Sequence, residues 1–393
     1  MISVKEAKQI INDSVKGLPP AFVCLEDAWD MVLAGDIFAP ADVPAYRQSS
    51  MDGYAIAFDD LKGQNEFSIV GESAAGNRSP FSIPKRAAAR IFTGAAVPEG
   101  ADTVVMQERT KVHNGKLVID DEALELGNNV RAKGAEIGKG ELALPKDSYL
   151  SAAAIGFLAN IGVTNATVYP KPSVGIILTG NELKSPGEPL AYGEVYESNS
   201  FALTAALRHF HIPTPGLALC KDDPAQLKAI MQKFIALYDL ILLTGGVSVG
   251  DYDFVRSVAE DCGVKTLFHK IKQRPGKPLY FGMHGGKVIF GLPGNPSSVL
   301  TCFYEYVIPA IKNLSNGNQH VSVIRAPLAQ AFAKKTPFTQ FLKGYYNGRE
   351  VVPLPGQESY KMNSFAKANC LIVLNEDDNE CKAGDIKEIH LIL

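Results

Sequence analysis

The spacing of apolar residues changes character three times along this 393-residue chain. At the N-terminus, MISVKEAKQIINDSVKG places Ile and Val at helical intervals and predicts a helix over residues 3 to about 17. LEDAWDMVLAG predicts a second helix over 25 to 35, ended by Gly35 as its C-cap. From about 40 to 145 the apolar runs shorten and are punctuated by Gly and Pro, as in FSIV, RIFTGAAV, TVVMQE and KLVID, which predicts β structure joined by exposed loops. An apolar helix, SAAAIGFLANIG (151 to 162), leads to Pro170 and Pro172. Beyond them, apolar runs at 174 to 180, 240 to 246 and 287 to 294 alternate with helical patterns at about 198 to 210, 224 to 237, 252 to 262 and 297 to 312. Strands that are apolar on both faces, separated by helices, predict a doubly wound, mostly parallel α/β sheet. The remainder returns to short alternating strands, as a small β-barrel or sandwich would.

The expected fold class is therefore multidomain, α/β plus all-β. Its parts are an N-terminal helical or linking domain (1–45 with 146–172), a β-rich domain inserted in it (46–145), the α/β domain (173–316) and a C-terminal β domain (317–393).

Composition narrows what such a chain can bind. Basic and acidic residues number 39 and 42, a net charge of -3, so no global field recruits nucleic acid or an anionic membrane, and an anionic ligand must be held by local groups. The six cysteines are scattered, with no C-x-x-C pair, which argues against a disulfide framework or a zinc site and for a reducing, cytoplasmic setting. No apolar run approaches the roughly 20 residues that span a bilayer.

Candidate chemistry gathers at predicted strand ends. In LILLTGGVSVGDYDF an apolar strand runs into Thr244, Gly245 and Gly246, then Ser248 and Gly250, before a helix begins near Asp251. Glycines there let backbone N–H groups converge on an anion, and a following helix N-terminus adds partial positive charge; a plain tight turn needs glycine too. Asp251 and Asp253 beside such a cradle imply a cation. IFGLPGNPSSVLTCF repeats the strand-turn-helix theme: Pro293 precedes Asn295 as a helix cap, Pro296 takes the first helical position, and Ser297 and Ser298 offer hydroxyls. KIKQRPGKPLYFG concentrates Lys272, Arg274 and Lys277 around a Pro-Gly turn, suited to phosphate or a tetrahedral oxyanion. In LTGNELKSPGEPLAYGEVYESNS, Thr179 and Gly180 end a strand just ahead of the carboxylate of Glu182, and a helix is capped near Ser198 or Asn199. In the β-rich region, PAYRQSSMDGYAIAFDD holds Asp52 in an Asp-Gly turn, with Thr93 and Gly94 in TGAAVPEGADTVVMQE and Arg131 and Glu136 in NNVRAKGAEIGKGE. The seven histidines supply no base at these loops, so a proton-shuttling hydrolase is disfavoured, and dispersed carboxylates suit Mg²⁺.

With these segments in order, the chain resembles the molybdopterin molybdenumtransferase family, which includes the E domain of gephyrin. The resemblance rests on SSMDGYA, TGAAVPEGADTVV, NNVRAKGAEI, LTGNEL, TGGVSVGDYDF, RPGKPLYFG and GLPGNP, and it covers essentially the whole length. It implies a molybdopterin-binding-like α/β domain and an elongated homodimer, with an active site formed by the sheet domain of one subunit and the β unit of the other. It also implies a reaction: adenylylated molybdopterin is cleaved at its pyrophosphate in a step requiring molybdate and a divalent cation, Mg²⁺, and AMP is released. By motif position, Asp52, Glu182, Asp222 and Asp253 would form the acidic set, with Glu182, Asp222 and Asp253 on the metal. Thr93 and Arg131 would line the β-unit side. Thr179, Gly245, Gly246, Ser248, Gly250, Arg274, Lys277, Pro293, Asn295, Pro296, Ser297 and Ser359 would bind substrate anions, and Lys343 is a further anion contact. Position 181 is Asn where the family usually has Asp, and Ala135-Glu136 replaces a common Glu-Asp pair. The adenylyltransferase of the preceding step is both an alternative identity and an implied partner. A non-catalytic scaffolding homologue is a third reading.

Overall fold

The computed structural model describes every residue except 246–253, 318, 319, 335, 379 and 393. The chain divides into two compact units. One comprises residues 1–21, 30–32 and 168–393, and the other residues 22–29 and 33–167.

The larger unit is built on a six-stranded sheet of β1 (Val174–Thr179), β2 (Gly216–Cys220), β3 (Leu240–Thr244), β4 (Lys265–His269), β5 (Tyr280–His284) and β6 (Lys287–Leu292), in the order β2-β1-β3-β6-β5-β4. The first four in that order run parallel; β5 alone runs against them, pairing antiparallel with both β6 and β4. The unbroken apolar runs have a direct cause. Val174, Ile176 and Leu178 of β1 pack with Leu203 and Leu207 on one face, together with Ala7 and Ile11 of the N-terminal helix α1 (Val4–Ser14). Ile177 packs on the opposite face with Leu227, Met231 and Phe234. A strand covered on both sides has no water-facing position to fill with a polar residue.

The covering helices are α2 (Asn199–His209), α3 (Pro224–Leu237), α4 (Val255–Asp261) and α5 (Pro296–Cys302), the last continued by a π-helical turn at Phe303–Val307 and α6 (Ile308–Ser315). Asp223 caps α3 by accepting from the Ala225 and Gln226 N–H groups, with Pro224 at the first helical position. Helix α2 is capped differently from expectation. Neither Ser198 nor Asn199 caps through its side chain, and the Glu197 carboxylate accepts from the Ser200 N–H and hydroxyl instead.

The C-terminal part of this unit is a sheet of β7 (Ser322–Pro327), β8 (Thr339–Tyr346), β9 (Val351–Pro353), β10 (Cys370–Leu374) and β11 (Ile386–Leu391), antiparallel throughout these strands. One further strand, Gln273–Arg274, joins its edge in parallel beside β8.

The smaller unit is β-rich. Its six-stranded sheet runs Thr103–Met106, Gly53–Ile56, Ala87–Ile91, Glu66–Ser73, Lys116–Ile119 and Thr110–His113, over two small apolar clusters around Ala89 and Phe67. Helix Ala152–Asn160 follows the sheet in the chain. The predicted helix over 25 to 35 does not form. Only a single 3-10 turn, Leu25–Asp27, is present; Asp30 takes a left-handed backbone, φ 61°, and the chain turns to extended structure at Val32–Leu33. The spacing of Leu25, Ala28 and Val32 imitates a helical face. The N–H groups of Leu33 and Ala34, however, find the carbonyls of Ser148 and Thr167 rather than helical partners. Among the described residues, no helix is long and apolar enough to cross a membrane.

Candidate functional site

At the carboxyl ends of the parallel strands of the larger unit lies an open cavity of about 760 Å³. Open α/β sheets bind ligands at this edge. Here β1 ends at Thr179 and Gly180, and β3 at Thr244 and Gly245. Gly245 has φ +85°, and a Cβ on it would lie 2.3 Å from the Thr179 carbonyl, so only glycine permits the two strand ends to approach this closely. The Asn181 N–H donates to the Asp222 carboxylate and the Asp222 N–H donates to the Asn181 side-chain oxygen, each at 3.3 Å. These two bonds draw the loops after β1 and β2 together. Glu182 and Asp222 consequently line one cavity.

The basic turn lines the same cavity. Gln273, 1% exposed, donates to the carbonyls of Pro275 and Gly276 and accepts from the Tyr306 hydroxyl of the π-helical turn. This buried amide shapes the turn that carries Arg274 and Lys277, both exposed and both lining the cavity. Pro293, Gly294 and Asn295 contribute from the loop after β6, Ser298 from the first turn of α5, and Gln357, Glu358, Ser359 and Tyr360 from the loop that follows β9. Asn295 stands at the N-cap position of α5 but makes no capping bond. Its amide donates to the Ser359 hydroxyl at 3.0 Å. The Ser297 N–H donates to the Ser359 carbonyl.

The cavity thus collects Thr179, Glu182, Asp222, Gly245, Arg274, Lys277, Pro293, Asn295 and Ser359 from the expected set. Pro296 and Ser297 are not among its lining residues. The Ser297 side chain is fully buried with its hydroxyl unpaired, and the neighbouring Ser298 lines the cavity in its place. Lys343 also departs from expectation as an anion contact: its ammonium is spent on three backbone carbonyls, those of Gly356, Glu358 and Lys361, at 2.6, 3.2 and 3.1 Å. Gly246, Ser248, Gly250, Asp251 and Asp253 lie outside the described residues. Sequence reasoning overlooked Gln273, Gln357 and Tyr360, because nothing local distinguishes them from surface polar residues.

In the smaller unit, Asp52 and Thr93 come together although 41 positions separate them. The exposed Asp52 carboxylate accepts from the Thr93 N–H at 2.7 Å and from its hydroxyl at 2.8 Å. The Thr93 N–H, then its hydroxyl, and the charge of Arg90 hold the Asp52 carboxyl below the usual aspartate range. Arg131 pairs in register with Gln48, whose amide donates to the Gly94 carbonyl. With Ala135 and Glu136 it lines a separate cleft of about 490 Å³.

Among the described residues, no group of three or more His, Cys, Asp or Glu is assembled as a metal site. Glu182 and Asp222 share the cavity with a basic turn, the donor set by which Mg²⁺ is held through one or two carboxylates and the phosphates of a ligand.

Strand-end loops that bring carboxylates, a basic turn and close-packed glycine backbone into one cavity define an α/β enzyme that handles phosphate or oxyanion groups. Comparison with known proteins makes this specific. The chain matches the MoeA N-terminal region (domain I and II) over residues 2–162, a probable molybdopterin binding domain over 175–313 and the MoeA C-terminal region (domain IV) over 325–392. It is 34% identical to the molybdopterin molybdenumtransferase of Haemophilus influenzae, covering 93% of this chain and 92% of that protein. It is 33% identical to the enzyme of the same name from Staphylococcus epidermidis, covering 99% and 95%. A crystal structure of a molybdopterin biosynthesis MoeA protein from Pyrococcus horikoshii is similar over 100% of this chain and 99% of the other, with 29% identity and a TM-score of 0.83. The chain belongs to the molybdopterin molybdenumtransferase family, and with it to the transferases.

Proposed function

We propose that this enzyme inserts molybdate into adenylylated molybdopterin, cleaving the pyrophosphate bond and releasing AMP together with molybdenum cofactor. One observation carries the reading at the level of residues: Glu182, Asp222, Arg274 and Lys277 line a single cavity at the strand ends. Arg274 and Lys277 neutralise the diphosphate and the incoming oxyanion, and the backbone at Thr179 and Gly245 approaches them closely. Pro293 and Asn295 line the cavity, and Ser359 offers a hydroxyl from the loop after β9. Glu182, Asp222 and Asp253 would hold Mg²⁺, which supplies charge neutralisation on the scissile phosphoanhydride when bound. Cleavage of the P–O–P link takes up one water and leaves one phosphate on AMP and the other on the pterin, while the two dithiolene thiols, with two protons, replace two molybdate oxygens that leave as water. Positioning and electrostatics, without a covalent enzyme intermediate, suffice for such a transfer.

In the same reading the protein is a cytoplasmic homodimer, consistent with its six free cysteines, and Asp52, Thr93 and Arg131 complete the cavity of a partner subunit. The four-part organisation, 1–45 with 146–172, 46–145, 173–316 and 317–393, belongs to this proposal, as does a transient meeting with the adenylyltransferase that supplies the substrate. The test is AMP release from adenylylated molybdopterin in the presence of Mg²⁺. Release should require molybdate; release at the same rate without it would overturn the assignment.

A further inference from the structure

The loop at 354–361, between the strand Val351–Pro353 and the short helix Met362–Phe365, supplies four cavity residues yet contains no helix or strand of its own, so side chains must hold it in place. Lys343 does this from β8. It is 3% exposed, and an ammonium has three donors, all of which are used on the carbonyls of Gly356, Glu358 and Lys361. Burial pushes its pKa below the ordinary lysine value, and the charge of Glu358 opposes that shift. A second tether runs beside the first. The Gln357 side chain accepts from the Lys343 N–H and donates to the carbonyls of Lys343 and Leu354 at 2.9 and 2.7 Å. The far end of the loop is closed by the Ser364 hydroxyl, which donates to the Pro355 carbonyl.

Charge in the interior is costly, and breaking its contacts costs more than neutral packing would have gained. A lysine placed there for stability alone would be an inefficient choice. What it gains is geometric: three carbonyls converge on one point, and the segment between them is curved so that Ser359 faces the cavity and meets Asn295.

We infer that Lys343 is a positioning residue, whose buried ammonium clamps the 354–361 loop so that Ser359 is presented to the anionic substrate. Ser359's part in substrate binding rests on the function proposed above; the clamp itself does not.

The experiment compares Lys343→Met, Lys343→Arg and Gln357→Leu in the full-length protein by two readouts. Amide hydrogen exchange is measured across 354–361 and across β10. Lys343→Met should speed exchange in the loop by about tenfold or more while β10 keeps its protection, with partial recovery in Lys343→Arg. In turnover assays, Lys343→Met should raise KM for adenylylated molybdopterin by roughly tenfold with a smaller change in kcat. Combined with Ser359→Ala, it should add little further, because both changes remove the same contact. Loop exchange that is unchanged, or that rises equally in β10, overturns the clamp. Fully multiplicative KM effects in the double variant overturn its action through Ser359. If Lys343→Met does not fold, Gln357→Leu carries the same two readouts. Absence of turnover in the wild type would defeat the proposed function, while the exchange result would still decide the clamp.

Discussion

Asp52 in the smaller unit and Glu305 in the larger one both have carboxyls held below their ordinary range by their partners, in opposite surroundings. Asp52 is exposed, and its carboxylate accepts from the N–H and hydroxyl of Thr93. Glu305 is 2% exposed, in the π-helical turn. Burial pushes its carboxyl up, and Lys8 at 2.6 Å and His390 at 2.6 Å more than offset that. The same histidine reaches Glu388 at 2.9 Å through its other nitrogen. A perturbed acid is therefore not in itself a mark of function. The acid that is open on one side, with its partners confined to one turn, is the one free to meet a ligand.

Three changes would break or sharpen that contrast. Asp52→Ala is expected to reduce AMP release by roughly 100-fold or more, the scale seen when one preorganised electrostatic group is lost, with an unchanged melting temperature. Co-expression with a Lys277→Ala chain should restore part of the turnover in a homodimer whose sites draw on both subunits; no recovery in purified mixed dimers would count against the shared site.

Glu305→Gln should do the reverse, costing about 3 kcal/mol of stability while leaving kcat near wild type, as measured by denaturant unfolding and by turnover well below the transition. Its pH dependence has a definite sign. Glu305 has a lowered pKa, so its contribution is present above the ordinary glutamate value of 4.5 and is lost as the pH falls through its folded value. His390, whose pKa burial lowers but Glu305 raises on balance, contributes below the ordinary 6.5 and loses that contribution as the pH rises through its folded value. The melting temperature should peak between these limbs, and Glu305→Gln should flatten both. A substitution that leaves the curve unaltered would remove the network from the account.

The smallest effect is expected from Thr93→Val, which deletes the hydroxyl bond and keeps the N–H bond to Asp52. The Asp52 pKa should move up toward its ordinary value, shifting the acid limb of the kcat/KM profile to higher pH by less than one unit. A shift toward lower pH would contradict the assignment of Thr93 as the group that keeps Asp52 ionised.

The same contrast explains what could be read from the residues alone. The parallel strands were legible because Ile177 and its neighbours are buried on both faces, and that requirement writes itself into continuous apolar runs. The strand-end glycines were legible because Gly245 has no alternative residue at its geometry. The false helix at 25–35 shows the limit: Leu25, Ala28 and Val32 are buried as a helical face would be, but the direction of the chain there is decided by Asp30 and by distant carbonyls. The site was legible where one segment carries its own chemistry, as in the Arg274–Lys277 turn. It was hidden where the cavity's shape depends on side chains that no local pattern marks, as with Gln273, which bonds the carbonyls of that turn, or Lys343, which bonds the carbonyls of the loop carrying Ser359.

The strand Gln273–Arg274 gives the molecule a property of another kind. Covalently it leads into the basic turn, and by hydrogen bonds it is the outermost strand of the C-terminal sheet. A cut made after Ser315 would expose the edge of that strand that now pairs with β8, and exposed edges of this kind recruit other chains. The α/β portion is thus not a removable module: shortening the polypeptide there should turn a monodisperse protein into an aggregating one before any chemistry could be assayed.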